Sequence, residues 1–285
     1  MTLPHLVGRA RFAARQALRE AWRWLRALVD REAPPVLHLF EAPTPGAPLR
    51  LLLSRPGLIE DRLVADRAWE PHIRDLIRFH LPARGVFVDV GANIGYHALS
   101  IACAFADARV LAFEPNPCVR AQLVVNRRLS RADNVDVFDC ALGAAPGRTR
   151  FYAQGAADYN RGRSSLQRNA DLGARIDAID VECRTLDDVI GDGRVDIVKL
   201  DTQGTELAVL AGARRLIARF SPLIVLEFEA EYQGDARAAY RALESELAGY
   251  QLWRIHHKRA EISRFDPRDI RGARFKVDLV ARPRR

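Results

Sequence analysis

Two stretches of this 285-residue chain carry side chains whose types and spacing suit chemistry. The first is Val86-Phe87-Val88-Asp89-Val90-Gly91-Ala92-Asn93-Ile94-Gly95. Its apolar run with one acid reads as a buried parallel strand, and the glycines read as a sharp turn into a helix. Such a corner binds nucleotides, because N–H groups at a helix start are free to face the ligand. Two ligand classes fall away. A dinucleotide fingerprint beginning at Gly91 needs glycine at 93 and 96, where the chain has Asn93 and Tyr96, and no Gly-Lys-Ser/Thr ending marks a phosphate-gripping loop. The second stretch is Val198-Lys199-Leu200-Asp201-Thr202-Gln203-Gly204-Thr205-Glu206. Lys199 and Asp201 fall on one face of a predicted strand, so they can pair and tune each other's proton affinity. Ligands of such sheets sit at the carboxyl ends of the strands, which makes Lys199, Asp201 and Glu206 the leading polar candidates for catalysis. The alternative is a structural ion pair, with Glu206 serving the dipole of the next helix.

What remains of the first stretch is Asp89-x-Gly91-x-x-x-Gly95, which resembles the donor loop of S-adenosylmethionine-dependent methyltransferases. That donor carries an amino acid where a dinucleotide carries pyrophosphate, so Asp89 beside the turn is expected to serve its ammonium group. Asp89, Gly91, Asn93 and Gly95 are accordingly the expected donor-binding residues. Val110-Leu111-Ala112-Phe113-Glu114 is a second apolar strand ending in an acid, nineteen residues after Gly95. A doubly wound fold places a carboxylate there to accept hydrogen bonds from ribose hydroxyls; otherwise Glu114 caps the helix after Pro115. Asp139, at the end of the third strand, is expected to contact the adenine amino group, or else to be a turn acid. Tyr96 and His97 either line the pocket or pack. Glu227 and Glu229 project to one side of their strand, toward an acceptor or toward water. His256-His257 has no partner at metal-ligand spacing and reads as surface, so no metal site is expected.

These residues need a scaffold that brings strand ends together. Strands are predicted at 86–90, 110–113, 135–139, 195–200, 223–228, 251–255 and 275–281, alternating with helices. That pattern gives an α/β fold with a doubly wound, mostly parallel seven-stranded sheet. Ahead of it, residues 36–40 and 49–53 read as a β-hairpin and 68–81 as a lead-in helix. The first thirty residues read as a basic amphipathic helix: Arg15, Arg19, Arg23 and Arg26 share one face, and Leu18, Ala21, Trp22, Leu25 and Val29 another. It packs on the body or lies on an anionic membrane surface. The expected units are thus residues 1–33, 34–82 and 83–285. Between the third and fourth core strands runs a longer polar insert with Tyr152, Ser164 and Ser165, a position that often carries substrate contacts.

Composition narrows the class. No apolar run reaches the length of a membrane span, and the Arg-rich start lacks the apolar centre of a secretory signal. Four scattered cysteines suit a reducing cytoplasm and argue against a disulfide framework or zinc site. The expected location is cytoplasmic, with residues 1–30 able to touch the inner membrane face. The net charge of +8 sits at the ends: residues 1–35 hold seven Arg against three acids, and residues 253–285 hold eleven Lys/Arg against four. The body between is close to neutral, which weighs against a nucleic-acid partner.

Taken together the residues resemble the FkbM-type methyltransferases over about residues 65–282. The resemblance runs through Trp69-Glu70-Pro71, Asp89–Gly95 with Tyr96-His97, Glu114-Pro115, Ser164-Ser165-Leu166 and Thr185-Leu186-Asp187-Asp188. It continues through the 198–206 stretch with Val209-Leu210-x-Gly212, then Leu226-Glu227-Phe228-Glu229 and the closing strand from Phe275. Many members carry Glu where this chain has Gln203, so no base is assigned there. The resemblance implies a class I, Rossmann-like methyltransferase fold, S-adenosylmethionine as donor, and transfer to a hydroxyl of a sugar, glycan, glycolipid or polyketide-type acceptor. Two other readings stay open: an RNA ribose methyltransferase and a non-catalytic donor-binding scaffold. Base methylation fits poorly, since the nearest string to its Asp/Asn-Pro-Pro-aromatic signature is Asn116-Pro117-Cys118, which follows the wrong strand.

Overall fold

The computed structural model describes residues 36–154, 159–160, 162, 164–166, 176–229, 235–257, 261–270 and 275–284. The amphipathic helix expected in residues 1–33 lies outside them. In chain order the strands are β1 (Val36–Ala42), β2 (Leu49–Arg55), β3 (Val86–Val90), β4 (Arg109–Phe113), β5 (Val135–Phe138), β6 (Ala141–Leu142), β7 (Gly147–Gln154) and β8 (Ile176–Arg184). They continue with β9 (Ile197–Leu200), β10 (Leu223–Glu229), β11 (Tyr250–His256), β12 (Glu261–Arg264) and β13 (Lys276–Pro283).

The main sheet runs β12-β11-β13-β10-β9-β3-β4-β5. Strands β10, β9, β3, β4 and β5 are mutually parallel; β13 runs antiparallel to β10, and β11, antiparallel to β13, runs in the direction of the parallel set. The doubly wound fold expected from the alternation is present with one strand more than predicted. That extra strand, β12, pairs with β11 as a hairpin. Its four residues, Glu-Ile-Ser-Arg, are too short and too polar to show an alternating pattern. Both faces of the parallel strands are buried: Val88, Val90, Leu111 and Leu200 pack into one core, and Phe87, Val110, Ala112 and Ile197 into the other. Burial on both faces is why these strands read as apolar runs.

The β1–β2 hairpin is not an appendage. Phe40, Leu49, Leu51 and Leu53 share a core with Phe87, Leu99 and Val110, and Asn126 Oδ1 accepts the Leu52 N–H at 2.7 Å. The lead-in helix spans Pro71–His80, and a second helix, Leu58–Asp66, precedes it without having been expected. The insert after β5 is more ordered than its polarity suggests. It forms a small sheet, β6-β8-β7, over a core of Ala141, Phe151, Ala153 and Val181. No helix among the described residues is long and apolar enough to cross a membrane.

In this order the chain builds outward from β3 through β4 to β5, then returns to the other side of β3 with β9. The reversal leaves a crevice at the carboxyl ends of β3 and β9, where ligands bind in open α/β sheets.

Candidate active site

A cavity of about 430 Å³ opens at that reversal, lined by residues from the ends of β3, β4, β9 and β10 and from the insert. That volume is within the usual range for small-molecule sites, about 300–1,000 Å³. Its two walls differ in construction.

The first wall is the turn after β3. Gly91 has φ +79°, and a Cβ there would lie 1.9 Å from the Asp201 carbonyl oxygen, so only glycine lets the β3 and β9 loops touch. Gly95 has φ +93° and caps the Tyr96–Ala104 helix. Asn93 takes φ +52° and lines the cavity. The N–H groups of this turn were expected to face a ligand, but most are already spent. Gly91 N–H and Ala92 N–H donate to Phe113 O, Asn93 N–H to Glu114 Oε2 at 3.0 Å, and Ile94 N–H to Asn93 Oδ1. With no pyrophosphate to bind, the fold satisfies these donors itself. Glu114 is the hub of this wall. Its other oxygen, Oε1, accepts Asn116 N–H at 2.8 Å, so each carboxylate oxygen takes one hydrogen bond among the described residues and has a second lone pair to offer. Burial pushes the Glu114 pKa up to about 7, against hydrogen bonds from Asn116 and Asn93 and the charge of Arg120.

The second wall is a charge network. Lys199 Nζ lies 3.4 Å from Asp201 Oδ2, the pairing predicted from their shared strand face, and 3.6 Å from Asp89 Oδ1. Burial alone would lower the Lys199 pKa; Asp201, Asp89, Glu70 and Glu227 outweigh it and hold the ammonium above its ordinary range. Burial would likewise raise Asp201, but Lys199 and the Gln203 hydrogen bond hold its carboxyl below the ordinary value. Gln203 bridges two acids: its Nε2 donates to Asp201 Oδ1 at 2.9 Å and to Glu227 Oε2 at 3.0 Å. Glu227 and Glu229 both meet Lys276, with Lys276 Nζ 2.6 Å from Glu227 Oε1. Burial first, and the Asp201 charge second, push Glu227 well above the usual carboxylate range despite Lys276.

Four expected site residues stand elsewhere. Asp89 is 1 % exposed and sits behind the cavity wall, where its Oδ2 accepts Ala98 N–H at 3.1 Å. It therefore braces the helix start and Lys199. Gly95 shapes the turn without lining the cavity. The carboxylate of Glu206 is consumed by its own loop, accepting from Thr202 N–H and Oγ1 and from Gly204 N–H. Asp139 is exposed, and the cavity is lined instead by its neighbour Cys140 with Ala141 and Leu142. Asn93, Glu114, Gly91, Lys199 and Asp201 do line the cavity.

Tyr96 and His97 line the cavity, the first of the two readings given to them, while Glu70 was missed as a site residue. Glu70 Oε2 is hydrogen-bonded to His97 Nε2 at 3.1 Å, and Tyr96 Oη accepts from Arg74 Nη1 at 3.1 Å. Lys276 and His257 also face the cavity, so His257 is not the plain surface residue that its sequence context suggests. The insert closes over both walls. Ser164 Oγ accepts from Asn116 Nδ2 at 3.2 Å, and Ser165 Oγ donates to Gln203 O at 2.7 Å.

A family model of the methyltransferase FkbM domain matches residues 89–252, more than half the chain, from within β3 to within β11. The chain belongs to the FkbM methyltransferase family. Among curated relatives, AMB antimetabolite synthetase AmbE of Pseudomonas aeruginosa is 32% identical over 201 residues, which cover 59% of this chain and 9% of that much longer protein. The 2-O-methyltransferase NoeI of Sinorhizobium fredii is 26% identical over 179 residues, covering 59% of this chain and 72% of NoeI. A crystal structure of methyltransferase FkbM from Methylobacillus flagellatus KT is 22% identical, covers 70% of this chain and 44% of that one, and has a TM-score of 0.45.

Proposed function

We propose that this FkbM-type enzyme binds S-adenosylmethionine in the cavity and transfers its methyl group to a hydroxyl of a small-molecule or glycan acceptor. The observation that carries this reading is the placement of Glu114 and the Gly91–Gly95 turn on one wall, with the Asp201–Gln203–Glu227 network on the opposite wall. Glu114 accepts the ribose hydroxyls, the turn takes the amino-acid end, and the apolar patch of Phe113, Cys140, Leu142 and Phe151 takes the adenine. The sulfonium methyl then faces the charge network. Methyl transfer is an in-line displacement: the acceptor oxygen forms a bond to the methyl carbon as the carbon–sulfur bond breaks, leaving a neutral thioether. The hydroxyl proton has to leave, and a carboxylate of raised pKa is the better acceptor for it. Glu227 fits that role, whereas Asp201, held low by Lys199, supplies fixed negative charge beside the sulfonium. NoeI, a 2-O-methyltransferase by name, supports an oxygen acceptor. The acceptor surface is formed by Glu70, Tyr96, His97 and the insert, all polar or aromatic groups of the kind that bind sugar hydroxyls.

The test is calorimetric titration of the full chain with S-adenosylmethionine, followed by transfer of labelled methyl to a panel of sugars, glycolipids, polyketide alcohols and RNA. Micromolar donor binding lost in Glu114→Ala, with label appearing on a glycan or small alcohol, is the expected result. A folded protein that does not bind the donor sinks the reading. Label on RNA alone overturns the acceptor class.

A further inference from the structure

Beside the acceptor wall, three side chains remote in sequence converge: His72 in the first turn of the Pro71–His80 helix, His257 just after β11, and Asp278 in β13. One potential ligand atom from each lies within 4.8 Å of the others. His257 Nε2 is 2.8 Å from Asp278 Oδ2, and His72 Nε2 is 3.8 Å from the same oxygen. The two imidazoles stand edge to face with centroids 4.3 Å apart.

The His72 side chain is 8 % exposed, and its Nε2 is fully buried without a hydrogen bond among the described residues. A buried imidazole nitrogen left unpaired costs free energy unless something else binds it. The Asp278 oxygen at the centre is equally buried; it pairs with His257 at 2.8 Å, and its distance to His72 is too long for a hydrogen bond. A cation between the three atoms would give the His72 nitrogen its partner. The surroundings favour positive charge, since Glu70, Asp201, Glu227 and Asp278 line one small cleft and only Lys199 in it, with Lys276 reaching Glu227, opposes them among the described residues.

We propose that His72, His257 and Asp278 form a binding site for a divalent first-row transition-metal ion. Two imidazoles and one carboxylate suit Zn²⁺, Fe²⁺, Co²⁺ or Ni²⁺ better than Mg²⁺ or Ca²⁺, which take all-oxygen sites. Three protein ligands leave coordination open for a water or a substrate oxygen, as in catalytic rather than structural metal sites. His257 lines the cavity and its side chain is 55 % exposed, so the open side faces the acceptor wall. Metal binding stands on this geometry alone; that an acceptor oxygen takes the open position rests on the function proposed above.

The test uses untagged, full-length protein freed of metal by chelation and titrated with Zn²⁺ by calorimetry. Co²⁺ serves as a visible-absorption probe, and donor titration of the same samples checks the fold. The wild type is expected to bind one Zn²⁺ per chain. His72→Ala and His257→Ala should each weaken binding by at least ~100-fold, since even partners outside the ligand shell cost about 10–100-fold. His256→Ala, whose ring bonds Ser263 on the neighbouring strand, should bind as the wild type does. If His72→Ala fails to fold, His257→Ala decides, because its ring is more than half exposed. A folded wild type that binds no Zn²⁺, or variants that bind it undiminished, overturn the site. A thiolate charge-transfer band in the Co²⁺ spectrum does the same, by assigning the metal to cysteine. Donor binding lost in the wild type would instead count against the methyl-transfer reading and leave the metal site standing.

Discussion

The two walls of the cavity solve different problems. The β3–β4 wall is made largely of backbone: a turn whose glycines set the path, whose N–H groups are paired internally, and one carboxylate, Glu114, that ties the turn to the next loop. The β9–β10–β13 wall is made of side chains, with Lys199, Asp201, Gln203, Glu227, Glu229 and Lys276 linked in a continuous network. Backbone geometry can hold an invariant ligand such as a methyl donor. A charge network can be retuned residue by residue, as an acceptor site requires. Damage to the first wall should therefore show in donor affinity and stability, and damage to the second in turnover.

The largest effect is expected at Glu227. Glu227→Gln keeps the shape and the Gln203 contact but cannot take a proton, and kcat should fall by roughly 10²–10⁴-fold. Donor affinity, read by calorimetry, should stay as in the wild type. A pH profile sharpens this. The base acts unprotonated and its pKa is raised, so the active fraction of wild type grows as pH rises above neutral, and Glu227→Gln loses that limb. If the variant loses donor affinity instead of kcat, the division between the walls fails.

Gly91→Ala attacks the backbone wall. The new methyl meets the Asp201 carbonyl, and an L-residue is forced to positive φ. Left-handed backbone costs about 1–2 kcal/mol and overpacking about 1–3, so urea unfolding should show a loss of about 2–5 kcal/mol. A stable Gly91→Ala protein would mean the two loops can part without penalty.

Glu114→Gln should be milder. Charged hydrogen bonds contribute about 1.5–3 kcal/mol, which makes the donor Kd about 10–100-fold weaker. The folded pKa of about 7 exceeds the ordinary 4.5, so folding favours the protonated acid. Its contribution to stability in the free protein is full below pH 4.5 and is lost as pH rises through 7. The proposed ribose contact needs the carboxylate, so donor affinity should move the other way, tightening as pH rises through 7 in wild type and staying flat in Glu114→Gln. A pH-independent wild-type Kd would remove Glu114 from the donor site.

The same contrast explains what the sequence could show. Asp89-x-Gly91-x-x-x-Gly95 and Glu114 are legible because a turn of fixed path leaves fixed spacing, and the parallel strands because burial on both faces leaves apolar runs. Lys199 and Asp201 are legible as a pair because two residues apart on a strand means one face. Nothing local announces that Glu70, His97, Glu227 and Lys276 meet, since they come from four elements brought together only by sheet order. His72, His257 and Asp278 are hidden for the same reason. Asp139 misleads in the opposite sense: its strand ends one residue early, at Phe138, and the acid turns out to solvent while Cys140 turns in.

The smallest predicted effects test whether the walls are independent. Ser164 and Ser165 are adjacent, yet one holds Asn116 on the donor side and the other holds the Gln203 backbone on the acceptor side. Each of these two contacts is a neutral hydrogen bond with a net contribution of about 0.5–1.5 kcal/mol, or roughly 5-fold in an equilibrium or rate; the second bond that Ser164 Oγ accepts, from Gln154 N–H at 2.9 Å, lies within the insert. Ser164→Ala should weaken donor binding by that factor with kcat preserved, and Ser165→Ala should lower kcat by that factor with donor binding preserved. Together the two changes should add, because they act on separate walls. Effects that exceed additivity would mean the insert couples donor and acceptor as one rigid clamp. In that case its order, rather than the charge network alone, would set when the methyl group can move.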